Sequence, residues 1–420
     1  MRIDIPSAIQ RTASTVAATL VATSTTLLSP TAQAAAPVVT TSTSPLAAYE
    51  DGLIATYLIS TDGHVQQLSQ ITGWHLNDLT AGANAVAAAP GSPVLTGGFY
   101  LSADGHVRQI AGNGSSFGAT DLTAVSGAPL AVGNALTGMS VVGYACATCA
   151  TYRIYFTTAT GHIEELAQTA TGSWSATDVT AAIGAVAAAP GSALTSFYVT
   201  EDNPYSNYQY PRVYYFSADG HVRELAWGAG WHATDITGTA AGGQPAGNFS
   251  TLFGFALYGS NAYKPSFPRI YYFDANHHIQ ELADAGGWHA GDITSRTGAA
   301  IAHSQSKLAG FALTWDGLRV YYVAYDGHIH DLNWSGGWTT HDLTAQMNAA
   351  LPYAGSSLTG YGWKGGNAYA FMYVGTDSHV REFFYSSGQW VVSDANATTT
   401  TPPSSGGGGG GGGGGIHQAN

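Results

Sequence analysis

An all-β fold, a β-propeller of four-stranded antiparallel blades, is predicted by three features of this sequence. One phrase recurs seven times: a hairpin built on Asp-Gly-His, then an apolar–polar alternation, then an aromatic residue. Its His falls at 64, 106, 162, 221, 278, 328 and 379, a period of about 50 residues, too short for one β unit to bury its own apolar face without stacking on its neighbours. The composition is that of strands and turns, with 54 Gly, 24 Tyr and only 9% charged residues in 420. No long stretch of helical periodicity follows residue 45.

The sixth repeat shows the element order. Residues 308–313 form an apolar first strand, 319–323 a second, 328–332 a third, and 338–343 a fourth. Four short strands per repeat around an axis is the signature of a propeller blade. Seven copies imply seven blades. The second copy leaves little room for a first strand between Pro93 and Phe99, so a six-bladed ring results if that copy forms no blade. The last copy ends on its own fourth strand, Trp390 to Asp394, so the ring can close without one terminus completing the other's blade.

The flanks read differently. Residues 1–34 have the form of an export signal: Arg2 and Arg11, a small-residue apolar run from Thr15 to Leu28, and the cleavage pattern Ala32-Gln33-Ala34. The run is short and Ser/Thr-rich for a membrane span, so cleavage is expected and insertion is not. Residues 35–43 read as unstructured, 44–397 as the repeat domain, and 398–420, with ten glycines, as a disordered tail. The expected localisation is therefore secreted and extracellular. Cys146 and Cys149 are the only thiols. Neither a second pair for zinc nor a βα context for redox chemistry accompanies them, and a small local disulfide is the preferred reading. A net charge of −13 with no basic stripe argues against nucleic acid and anionic membranes.

The candidate site emerges from a second alignment of the repeats. Beyond Arg11 there are only eight Arg, and four occupy one repeat position: Arg153, Arg212, Arg269 and Arg319. Twelve residues on stand Glu165, Glu224, Glu281 and Asp331. A three-residue hairpin loop, Ala218-Asp219-Gly220 with Gly left-handed, pairs Ser217 with His221. That register sets Arg212 and Glu224 diagonally across two strands on one face, within mutual reach. In two copies His277 and Ser378 replace the turn glycine.

Aromatic residues keep company with these pairs. Three positions after the acid stand Trp227, Trp334 and Tyr385 in the fourth, sixth and seventh copies. A second series occurs in every copy: Trp74, Phe117, Trp174, Trp231, Trp288, Trp338 and Trp390. A guanidinium fork donates to neighbouring hydroxyls, a carboxylate accepts from them, and an indole covers the apolar face of a sugar ring. An exposed ion pair and packing aromatics are the bland alternative, worth about 0–1 kcal/mol per pair.

The run R-[VI]-Y-[YF], followed by I/V-x-E-x-x-W and G-W, resembles the fucose-binding propeller lectins typified by the Aleuria aurantia lectin. The motifs are strongest from residue 151 to 390. The resemblance implies sites between adjacent blades, Arg and acid from one and aromatics from the next. Arg153 and Glu165 would then meet Trp227 and Trp231, and Arg269 and Glu281 would meet Trp334 and Trp338. Arg212 and Glu224 would face Trp288, with Asp284 where a Trp is expected. Arg319 and Asp331 would face Tyr385 and Trp390. The first, second and seventh copies depart: Gln67 with Ala55, Gln109 with Gly97, and Glu382 with Ala370 imply silent sites. The implied function is a multivalent lectin for fucosylated glycans, with no catalysis, cofactor or metal. A sialidase-like propeller glycosidase and a protein-interaction propeller are the alternatives.

Two further recurrences are read as structural. An Asp four residues after the second aromatic (Asp178, Asp235, Asp292 among seven) fits an Asp-x-Thr turn closing on its own backbone. The seven His, one per blade, are too far apart to share an ion and read as hairpin-flanking residues.

Overall fold

A computed structural model describes residues 46–396, apart from 51–53, 71–73, 113–115, 141–151, 170, 201–208, 250, 258–265, 314–316 and 363–367. The export signal, the segment 35–43, Cys146 with Cys149, and the tail from 398 lie outside the described residues.

Seven four-stranded antiparallel sheets form seven blades: 46–78, 94–121, 136–178, 194–235, 252–292, 309–342 and 358–394. Each sheet runs in sequence order, first strand to fourth. First strands of consecutive blades neighbour one another, and that of blade 1 neighbours that of blade 7, which closes the ring. Among the described residues no strand is exchanged between blades. Leu58, Leu68 and Trp74 of blade 1 pack against Tyr361, Met372 and Val380 of blade 7, so apolar burial between blades does the closing. The second copy is a true blade, though its first two strands shrink to Val94–Leu95 and Phe99–Leu101. Six blades are excluded.

The hairpin register is the expected one. In blade 4 the Ser217 N–H donates to the His221 carbonyl at 3.0 Å, and Gly220 has φ +80°. His277 and Ser378 take the same left-handed conformation, with φ of 61° and 66°. Each bears a Cβ that glycine would not, at a cost of about 1 kcal/mol.

A helix of four or five residues follows the fourth strand in blades 1–6, as in Ile236–Thr239 and Ile293–Thr297. A single turn is too short to show as periodicity, and its signal was the Asp-x-Thr taken for a turn. Asp235 is an N-cap: one carboxylate oxygen accepts the Gly238 N–H at 2.8 Å. Its other oxygen accepts from Nδ1 of His221 at 2.9 Å. The Thr237 hydroxyl accepts the Val222 N–H at 2.9 Å. The recurring His is thus one end of a clamp tying the hairpin to the cap. Among the described residues, which end at 396, blade 7 shows no such helix, but Asp394 still holds His379 at 2.7 Å, and Asn396 replaces the Thr. Two Asp and one His gather within 4.8 Å at 219/221/235, 274/278/292 and 326/330/342. Their carboxylates are engaged by caps, turns, His and, in blade 4, Arg223.

Candidate functional site

Strand register builds the site at the edge opposite the Asp-Gly-His hairpins, where each second strand begins and each third strand ends. Arg212 lies opposite Ala226 and Tyr214 opposite Glu224. Arg212 and Glu224 are therefore diagonal neighbours on one face. Blades 3, 5 and 6 repeat this, with Tyr155 opposite Glu165, Tyr271 opposite Glu281 and Tyr321 opposite Asp331. The ion pairs form at 2.6 Å for Arg153–Glu165, 3.6 Å for Arg212–Glu224, 3.7 Å for Arg269–Glu281 and 3.0 Å for Arg319–Asp331. Arg212 and Arg269 also donate to the carbonyls of Trp227 and Asp284 at 2.8 and 2.9 Å, which fixes each fork at its own blade's end.

Sequence reasoning overlooked the tyrosine two residues after each Arg, although the R-[VI]-Y pattern displayed it. The hydroxyls of Tyr155, Tyr214 and Tyr271 donate to Glu165, Glu224 and Glu281 at 2.7, 2.8 and 2.8 Å. All three rings are fully buried. Burial first, and the adjacent carboxylate second, holds these phenols protonated well above their ordinary range. The acid is thus anchored from beneath by a permanent donor, leaving its remaining lone pairs for a ligand. Burial pushes Glu224 above the usual carboxylate value against the pull of Arg212 and Tyr214, and Asp284 adds to the push. Glu281 is likewise raised by burial, opposed by Tyr271, Arg269 and Arg296.

The next blade supplies the wall. Trp231 meets Tyr155 edge-on at 6.3 Å, Trp288 meets Tyr214 at 6.3 Å, and Trp338 meets Tyr271 at 6.2 Å. The ever-present second aromatic series is thereby inter-blade packing in every gap, as Trp174 on Phe99 shows even beside a silent copy. Trp227 and Trp334 differ. They stand edge-on to Trp231 and Trp338 at 5.6 and 5.7 Å and are partly exposed, at 37% and 36%. A partly exposed indole beside a half-buried ion pair gives an amphipathic surface at the gaps between blades 3 and 4 and between blades 5 and 6. Between blades 4 and 5, Asp284 turns away to accept the Gly286 and Gly287 N–H groups at 3.1 and 3.0 Å.

The fourth pair departs from expectation. Arg319 lies with its guanidinium carbon 4.5 Å over the Tyr369 ring, and Tyr369 stacks on Tyr385 at 4.6 Å. Tyr369 thus stands between Arg319 and the aromatic that was to cover a ligand there, and Trp390 packs on Tyr369 at 5.4 Å. Exposure of the guanidinium side chains records the result: 21% for Arg153, 15% for Arg212 and 18% for Arg269, but 9% for Arg319. The difference traces to the residue preceding the Arg position in the following blade, which faces back into the gap. It is Pro211, Pro268 and Leu318 in the three open gaps and Tyr369 in the closed one. The shorter acid matters too. Asp331 takes Nδ1 of His341 at 2.8 Å, and among the described residues the buried Tyr321 hydroxyl has no partner.

In the silent copies the polar residue at the acid position is held by its own blade. Gln67 donates to the Tyr57 hydroxyl at 3.2 Å and Gln109 to the Gly97 carbonyl at 3.3 Å. Glu382 accepts from Tyr361 and Ser393 at 2.6 and 3.1 Å, with no guanidinium at Ala370.

No protein-family model and no curated protein matches the chain. Solved structures do resemble it. The Burkholderia pseudomallei lectin BP39L aligns over 85% of this chain and 99% of its own, at 13% identity and a TM-score of 0.57. The six-bladed Aleuria aurantia lectin, described with a fucose recognition mode, aligns over 88% and 100% at 15% identity and a TM-score of 0.51. The lectin SapL1 in complex with α-methyl fucoside aligns over 86% and 97% at 18% identity and 0.50. At such identities the likeness is one of fold, and this chain's ring has seven blades.

Proposed function

We propose that this protein is a secreted, multivalent lectin that takes L-fucose-type sugars in three gaps, between blades 3 and 4, 4 and 5, and 5 and 6. The observation that carries the reading is the triple recurrence of one unit. A half-buried Arg and a tyrosine-anchored Glu, buried in blades 3 and 4 and nearly so in blade 5, lie against an indole from the neighbouring blade. The guanidinium donates to adjacent hydroxyls, the carboxylate accepts from them, and the exposed Trp227 or Trp334 covers the sugar's apolar face. The gap between blades 4 and 5 lacks that cover and would be the weakest. The structural neighbours are lectins rather than enzymes, which supports a binding role over the glycosidase alternative, and fucosylated glycans are the partners this reading assigns. Segment 1–34 would direct export.

One pocket with three or four hydrogen bonds binds weakly, and linked sites on a rigid ring raise apparent affinity by roughly 10²–10⁴ on clustered glycans. The mature chain should be retained on immobilised L-fucose without added calcium. Arg153→Ala combined with Arg269→Ala should abolish most retention. Retention equal to the parent would refute the site.

A further inference from the structure

We infer that the gap between blades 5 and 6 takes a saccharide carrying an oxyanion, a sulfate ester or a carboxylate, and that Arg296 reads that charge; this rests on the sugar-site assignment above. The fourth-strand residue opposite the acid reaches it in two blades. His341 donates to Asp331 at 2.8 Å, and Ser393 donates to Glu382 at 3.1 Å. In blade 5 that residue is Gly291, opposite Glu281. A Cβ placed at Gly291 would stand 3.2 Å from Nη2 of Arg296. The Arg296 guanidinium therefore fills the place from which a side chain would touch the acid.

The route it takes is set by the fold. Arg296 sits on the one-turn helix Ile293–Thr297, which packs against the fourth strand of blade 6, the strand that Trp338 begins. The corresponding residue of the first helix, Gly82, points at Phe117, the counterpart of Trp338: a Cβ there would lie 3.1 Å from Phe117 Cδ2. This helix position thus projects toward the aromatic wall of the gap. The other helices place Gly82, Val125, Ala182, Thr239 and Gln346 here, all uncharged. Arg296 is exposed, and among the described residues it has no ion pair and no side-chain hydrogen bond. It is an exposed cation beside the acid of this gap, and among the described residues its donors are unused.

Charge then distinguishes the three open gaps. Arg153 with Glu165 is neutral in sum, Arg212 with Glu224 and Asp284 is negative, and Arg269 with Glu281 and Arg296 is positive. A neutral pyranose can enter all three. An anionic one is disfavoured beside Asp284 and favoured beside Arg296, where the guanidinium offers a planar two-point donor to a sulfate or carboxylate.

The test uses the full ring with the other two open sites silenced, in the Arg153→Ala, Arg212→Ala background. Calorimetric titrations at low salt compare methyl α-L-fucoside with its 2-, 3- and 4-O-sulfates, and methyl α-galactoside with methyl α-galacturonide. At least one anionic glycoside should bind about 5–10-fold tighter than its neutral parent, the size expected of a charge pair at a partly solvated rim. Arg296→Gln in the same background should bring that ratio to about 1. Because both ligands are titrated into one sample, the ratio is independent of any loss of folded protein. A preference confined to sulfates or to the uronide identifies the source of the oxyanion. Equal binding of anionic and neutral glycosides, or a ratio retained in Arg296→Gln, overturns the inference while leaving the sugar site intact. Failure of every glycoside to bind overturns both.

Discussion

The buried tyrosines make a one-atom experiment available. Tyr155→Phe removes a hydroxyl that donates to Glu165 at 2.7 Å and nothing else, since the ring stays to carry Trp231. Both partners are buried, so the carboxylate loses a charge-assisted bond that water cannot replace, at a cost of about 1.5–3 kcal/mol. For a domain of roughly 350 residues the unfolding entropy is about 0.7 kcal/mol per degree, so Tm should fall by about 2–4 °C. Tyr321→Phe is the matched control. Its ring stacks on Phe371 at 4.2 Å, but its hydroxyl has no partner because Asp331 is one methylene shorter than Glu. Removing that buried hydroxyl relieves an uncompensated desolvation and should leave Tm unchanged or raise it by about 1–2 °C. Calorimetry on the two variants and the parent decides the matter. Equal losses from the two substitutions would show that the Tyr–Glu bond is not what anchors the acid, and the account of the site would fall.

Three other outcomes follow from the same geometry. Glu164 is buried where blades 2, 4 and 7 carry Arg, and burial together with Asp178 raises its pKa to about 7. Its folded pKa lies above the unfolded value of 4.5, so the folded state binds the proton more tightly and stability is lost as pH rises from 4.5 to about 7. Glu164→Gln, the type at position 280, should therefore raise Tm at pH 8 and leave it unchanged at pH 4; a gain at pH 4 alone would contradict this. Glu224 and Glu281 are held above the usual carboxylate range, chiefly by burial, so sugar affinity should decline on acidification while an ordinary Glu would still be ionised; affinity that holds until the ordinary carboxylate range is reached is the refuting result. Tyr369→Leu, copying Leu318 of the neighbouring gap, forfeits the contacts to Arg319 and Tyr385 and should cost about 2–4 kcal/mol in stability. The same variant should expose Arg319 to a dicarbonyl reagent that spares it in the parent; unchanged protection would place the seal elsewhere.

Much of this architecture was legible in the sequence because it is written seven times. Period gave blade count, loop length gave register, and register put Arg212 and Glu224 on one face, since side chains alternate strictly along a strand. Two local features escaped. The one-turn helices are shorter than the window in which periodicity is measurable, and the Asp that starts each of them was read as a turn. The tyrosine beneath each acid was visible as a motif letter, but its role depends on what lies opposite it.

By itself the sequence determined which residues share a strand face, because pleat and hairpin length are local rules indifferent to the rest of the chain. Which gaps stand open was decided only by the stacking of blades. Tyr369 and Leu318 occupy the same place in their own strands, and nothing local distinguishes a filler from a floor. The outcome depends on the volume left between two sheets whose separation is fixed by every other side chain packed there, and on whether Asp331 can still reach the tyrosine beneath it. Volume and reach across a gap are properties of two blades together, and no single repeat contains them.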